Sequence, residues 1–301
     1  RKNEGGSNLI CHLPPAIVRS LIHLKLMETP MTVLLFLKTL LLGLIEGITE
    51  FLPVSSTGHM ILADEFIRLS ENQTFTAAFE VFIQSGAILA VVVLFRRELW
   101  PFAGTKTEQR NKWLLWAKTL VAFIPAAVTG LLFHGFIEAH LFNPVTVAAA
   151  LIFYGILIII FERTHQVQAN RLHCIDNLSF RTAFFIGLMQ CLALIPGTSR
   201  STATILGGIM LGLDRTLAAE FSFFLSIPTI AGASLLQLLK NGTAFSPTEY
   251  LVLGIGFTVS FFVAAIVIKW LMKYLRKHSF IPFGWYRIVL GLIVLGWWFL
   301  K

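Results

Sequence analysis

Leu40-Leu-Leu-Gly-Leu-Ile-Glu46-Gly-Ile-Thr-Glu50-Phe-Leu-Pro53-Val-Ser-Ser-Thr-Gly58-His59 is the stretch on which the fold turns. It begins as an apolar helix, takes on two carboxylates four residues apart, breaks at a proline and runs into three hydroxyls before the chain becomes apolar again. The surrounding composition decides what such a break means. The 301 residues are 56% apolar or aromatic and 13% charged, with 27 Phe and 7 Trp, and the mean hydropathy is +0.76. A soluble domain carries about 25% charged residues, and no compact water-soluble fold hides this much apolar surface. Disorder is excluded by the same excess. The chain reads as an all-α polytopic membrane protein.

Outward from this stretch, apolar runs near 76–96, 113–133, 143–161, 217–239, 250–272 and 281–300 are each long enough to cross a bilayer, which takes about 20 residues. Two stretches, 32–70 and 181–213, are instead interrupted by Pro and a Ser/Thr/Gly cluster. An interrupted helix is tolerated at membrane depth only where protein or water surrounds the break, so both are expected to be re-entrant hairpins. Basic connections at Arg96–Lys112, Lys273–His278 and around Arg163, Arg171 and Arg181 are expected on the cytoplasmic side. His134–Asn143 and Asn241–Glu249 carry no Lys or Arg and are expected outside. The trace closes if the first hairpin dips in from outside and the second from the cytoplasm.

That arrangement makes one domain, 31–301, of two inverted halves, about 31–165 and 178–301, each a re-entrant broken hairpin followed by three transmembrane helices. Gly43-Leu-Ile-Glu46 resembles Gly187-Leu-Met-Gln190, and Pro53 and Pro196 each precede hydroxyls. Inverted repeats place their sites near the midplane, where broken helices meet. Residues 1–30 are weakly patterned and are set aside as an N-terminal extension. The net charge of +8 is spread between spans, so no nucleic-acid partner is expected. Cys11, Cys174 and Cys191 show no ligand spacing and read as free thiols.

Glu46 and Glu50 share one helix face. Ionised acids in a membrane are costly and by default functional candidates. The pair suits a hard divalent cation, which prefers oxygen ligands, or two acids sharing a proton. Ser55, Ser56, Thr57 and His59 follow. In the second break, Pro196-Gly-Thr-Ser-Arg-Ser-Thr-Ala-Thr204 puts Thr198, Ser199, Ser201, Thr202 and Thr204 around Arg200 at the start of an apolar helix. A helix N-terminus and a guanidinium both suit phosphate oxygens. Acids and His from one half with Arg and hydroxyls from the other make a metal-and-anion site suited to phosphoryl chemistry. Glu80 and Glu220, early in two spans, are weaker candidates to brace the hairpins. His134, His140 and His165 are expected in solvated loops. A transporter shares the broken helices and buried acids and is the competing reading.

The two motifs together resemble those of the bacterial undecaprenyl-diphosphate phosphatase family, the bacitracin-resistance proteins, from about Met31 to the C-terminus. The resemblance implies a multi-pass enzyme of the bacterial inner membrane with its site opening to the periplasm. Its reaction would hydrolyse undecaprenyl diphosphate to the monophosphate and inorganic phosphate, recycling the lipid carrier for wall synthesis. It implies a divalent cation, Mg²⁺ or Ca²⁺, with Glu46 and Glu50 as catalytic residues that hold the metal or orient water. Ser56 is then the candidate nucleophile or water-positioning group, assisted by His59, and Arg200 stabilises developing charge. Ser55, Thr57, Ser199, Ser201 and Thr204 bind the diphosphate. A homo-oligomer is left open.

Overall fold

The computed structural model describes residues 31–164, 172–241 and 245–300. The extension 1–30, with Cys11, and the residues Arg171 and His165 lie outside the described residues. Apart from single turns, the described chain forms helices α1 (Val33–Thr49), α2 (Ser56–Ile67), α3 (Gln73–Leu94), α4 (Lys106–Leu141), α5 (Pro144–Thr164), α6 (Phe180–Gln190), α7 (Arg200–Met210), α8 (Arg215–Asn241), α9 (Pro247–Leu275) and α10 (Ile281–Leu300). Six of them, α3, α4, α5, α8, α9 and α10, are long and apolar enough to span a bilayer. They coincide with the six runs read from the sequence.

Local chemistry sets the helix starts. Thr105 and Ser246 each accept a hydrogen bond from the third helical N–H while Glu108 and Glu249 reach back to the cap, so α4 and α9 both open on capping boxes. The breaks are also capped: Ser55 and Ser199 sit at φ 74° and 72° and accept from Gly58 N and Thr202 N. Two non-glycine residues in the left-handed region mark backbone held by its surroundings. α4 does not stop at Phe133 but continues to Leu141, so His134 and His140 lie on its last turns and not in a loop. Nothing in 134–141 interrupts the backbone ladder, and polar side chains at a helix end suit water as well as a loop does.

Packing directions place the breaks. α1 lies parallel to α9, since a Cβ on Gly43 would stand 3.0 Å from Gly256 O and one on Gly47 2.9 Å from Ser260 O. α6 lies parallel to α4: Lys118 donates to Asp176 O at 3.0 Å, Gly187 packs on the Ala122 carbonyl, and Thr129 meets Cys191 at 3.6 Å. The N-terminus of α3 neighbours that of α9, with Phe75 and Phe245 rings 5.8 Å apart. Since α3 ends where α4 begins, α4 and α9 start at opposite faces. The two broken segments therefore enter from opposite faces and meet inside the bundle. α5 and α10 cross at Gly155 and Gly284, where either Cβ would press on the other's carbonyl at 2.7–2.8 Å; small residues let membrane helices approach this closely.

Beneath the breaks lies a buried cluster that includes Phe51, Phe221, Phe223 and Phe224. Phe51 meets Phe223 edge-on at 5.2 Å. Large apolar side chains such as Leu132, Phe262, Ile266 and Ile293 face outward, as lipid contact requires.

Candidate active site

The break after α1 and the break before α7 bring their polar residues together. Glu50 Oε1 accepts from Arg200 Nη2 at 3.1 Å, and Glu50 Oε2 accepts from Ser56 Oγ at 2.6 Å. One carboxylate thus holds a guanidinium from one broken segment and a hydroxyl from the other. Arg200 also donates from Nη1 to Ser222 O at 2.9 Å and lies 5.9 Å over the Phe51 ring. Ser201 Oγ donates to Leu52 O at 2.9 Å, joining the two tips. Thr204 donates to Arg200 O at 2.9 Å and meets Ser222 Oγ at 2.6 Å, fixing the first turn of α7 against α8.

A cavity of about 820 Å³ opens on this pair. Its polar end is lined by Glu50, Ser55, Ser56, Thr57, Ser199 and Arg200, and Gln84 and Gln190 are also on its wall. Its apolar wall runs past Phe123 and Leu131 of α4 and Ile230 and Leu236 of α8. A charged end joined to an apolar groove suits an amphipathic molecule.

Not every residue singled out in the sequence lines the cavity. Ser201 and Thr204 are buried and committed to the bonds above. Glu46 is buried beside Glu50, with Oε1 lacking any partner. His59 lies outside the cavity lining. Its Nδ1 is 2.7 Å from Ser55 O and its Nε2 2.7 Å from Tyr286 Oη. A carbonyl only accepts, so Nδ1 carries the proton and neutral Nε2 accepts from the tyrosine. Among the described residues no hydrogen bond links His59 to Ser56. Glu80 and Glu220 are half-buried on α3 and α8 and make no hydrogen bond to either break. Cys174 and Cys191 are free thiols.

Arg287 of α10, absent from the sequence-derived candidates, is fully buried. Its Nη2 donates to Gly197 O at 2.7 Å and Thr198 O at 3.0 Å, and its Nη1 to Thr202 Oγ1 at 2.9 Å and Pro53 O at 3.3 Å. It satisfies carbonyls that the breaks take out of helical pairing, and it does so for both tips at once. The available signal is an arginine inside an otherwise apolar span, which membranes rarely tolerate without a task.

A divalent cation is tested by its donors. Among the described residues no group of three or more His, Cys, Asp or Glu is placed to hold a metal. The unpartnered Glu46 Oε1 beside Glu50 is an acceptor that a cation would satisfy. Two carboxylates with water and substrate oxygens fit Mg²⁺, which keeps several waters and relies on phosphate oxygens, better than Ca²⁺ with its 6–8 oxygen ligands.

The comparisons with known proteins place the chain in a family. The profile of the family described as "Bacitracin resistance protein BacA" matches residues 39–293. "Undecaprenyl-diphosphatase 1" of Clostridioides difficile is 50% identical over 276 residues, covering 91% of this chain and 100% of that protein. "Undecaprenyl-diphosphatase 1" of Oenococcus oeni is 48% identical over 265 residues, 86% of this chain and 95% of that protein. "Undecaprenyl-diphosphatase" of Enterococcus faecalis is 49% identical over 263 residues, with the same two shares. The matched region holds both breaks, with Glu46, Glu50, Ser56 and Arg200, and Arg287. By its six spans, its paired breaks and these relatives, the chain belongs to the bacitracin resistance protein BacA family.

Proposed function

We propose that this protein hydrolyses undecaprenyl diphosphate with water to undecaprenyl phosphate and inorganic phosphate, recycling the lipid carrier for cell-wall synthesis and conferring bacitracin resistance. The observation that carries the chemistry is the Ser56 hydroxyl donating at 2.6 Å to a carboxylate that also holds Arg200, at the charged end of an amphipathic cavity.

In this reading Ser56 is the nucleophile and Glu50 accepts its proton, a pairing of nucleophile and base within hydrogen-bond reach. Ser56 Oγ bonds to the terminal phosphorus as the bond to the bridging oxygen breaks, and the lipid monophosphate leaves. Water then attacks the phosphoserine, releasing inorganic phosphate and restoring the hydroxyl. Arg200 faces the charge that develops on the transferring group, a position worth several kcal/mol in comparable sites. Ser55, Thr57 and Ser199 supply further hydroxyls around the phosphates, while Ser201 and Thr204 hold the loop that presents them. His59 fixes the Ser55 carbonyl and so the turn that aims Ser56. Glu46 and Glu50 would hold Mg²⁺, which supplies neutralisation of phosphate charge when bound. The cavity runs toward the ends of α4 and α8 that precede 142–143 and 242–246, connections without Lys or Arg. This supports a site opening to the periplasm from the inner membrane, and with it an inverted relation of the two halves.

Phosphate release from undecaprenyl diphosphate by detergent-purified protein, with and without chelator, tests the reading. Wild type should release phosphate, whereas Ser56→Ala and Glu50→Gln should fall by at least about a hundredfold, with melting unchanged for Ser56→Ala and lowered for Glu50→Gln, which leaves Arg200 unpaired. A folded wild type that releases none would sink the hydrolase and favour transport.

A further inference from the structure

We infer that Gln190 is a substrate-binding residue whose side-chain amide donates to the phosphate group that stays on the lipid; the inference rests on the hydrolase reading above. Gln190 ends α6 and lines the cavity, yet it is only 2% exposed and its Nε2 has no partner. Its amide oxygen lies 3.4 Å from Thr229 Oγ1, which also donates to Leu225 O at 2.7 Å. An amide carries two N–H donors. Thr229 can take at most one of them, so whichever way the amide is turned, at least one N–H is left without a partner in the wall of the cavity. Buried donors are nearly always satisfied, and here the unmet partner is whatever occupies the cavity.

The occupant's chemistry follows from the neighbours. Glu50, the acid on the cavity wall, is already paired with Arg200. Gln190 stands where the matching helix of the first half has Glu46, so this wall carries a neutral donor instead of another negative charge. A donor without charge suits phosphate oxygen in a way that a carboxylate does not. Position then selects which phosphate. The α6 helix packs on α4 at Gly187 and Ala122, beside Phe123 and Ala126 of the apolar wall. Thr229 immediately precedes Ile230 on the facing wall. Gln190 therefore lies between the Ser56–Glu50–Arg200 cluster and the groove for the prenyl chain. With the terminal phosphorus at Ser56, the phosphate joined to the lipid reaches this amide.

The test compares wild type, Gln190→Met and Gln190→Glu for KM, kcat and inhibition by undecaprenyl phosphate and by inorganic phosphate. Gln190→Met keeps length and loses the donor; it should raise KM and weaken inhibition by the lipid monophosphate about tenfold, leaving inhibition by inorganic phosphate unchanged. Gln190→Glu, which keeps shape and adds charge, should weaken monophosphate inhibition further, and it carries the test if the Met variant does not fold. Wild-type KM and monophosphate inhibition in the folded variants would overturn the inference. So would a change confined to inorganic phosphate, which would put the amide on the wrong group. Wild type that releases no phosphate would strike the hydrolase reading instead, before any variant is compared.

Discussion

A single guanidinium holds the two breaks in register. Arg287 donates to carbonyls on both sides of the site, Pro53 on one and Gly197 and Thr198 on the other, from a helix that supplies no group to the cavity lining. Only a planar fork with several donors reaches all of them; an ammonium is a point charge. Arg287→Lys should therefore cut kcat about a hundredfold, the loss expected when reacting groups shift by about 1 Å, with KM changed far less. Steady-state kinetics at saturating substrate check the split. A variant that melts lower yet keeps its kcat would reduce Arg287 to a structural strut. The carboxylates, the hydroxyls and Arg200 were legible in the sequence because their clustering within short motifs is itself improbable in a membrane. Arg287 was not, because its partners are backbone carbonyls more than 80 residues away and carbonyls leave no trace in a residue pattern. The engagement of His59 with Ser55 and Tyr286 was hidden for a like reason, since proximity to Ser56 in sequence does not fix which way an imidazole turns.

Helices in this molecule are spaced by glycine and started by hydroxyls. α6 sits directly on α4, and a methyl at Gly187 would collide with the backbone carbonyl of Ala122. Gly187→Ala should force the helices apart and cost about 1–3 kcal/mol, the usual range for overpacking. Thermal unfolding in detergent checks this against Gly254→Ala, where nothing lies within 4 Å and no loss is expected. Element type and number were readable because hydropathy is a local property and the six spans exceed any competing length. Element ends were less so: the polar residues of 134–141 look like a loop, yet the helix continues through them, since a helix emerging into water has no need of an apolar face.

The bundle as a whole has a polarity that the connections reveal. Lys106, Arg110 and Lys112 lie at the face where α4 begins, and Phe142 lies at the face where it ends. With all three native cysteines replaced by serine, an impermeant thiol reagent applied to intact cells should label Phe142→Cys and spare Lys106→Cys. The reverse pattern would invert the molecule and turn the cavity to the cytoplasm. Ser201 and Arg200 already link the two broken segments, but the donors that Arg287 offers to both of them arrive only with α10. On the ribosome, the first break is synthesised more than two hundred residues before its clasp. The nascent protein therefore inserts with a site already written but not yet fully clasped, and α10 completes the clasp. Biogenesis thus has a built-in order, in which a helix made later clasps the two breaks made before it.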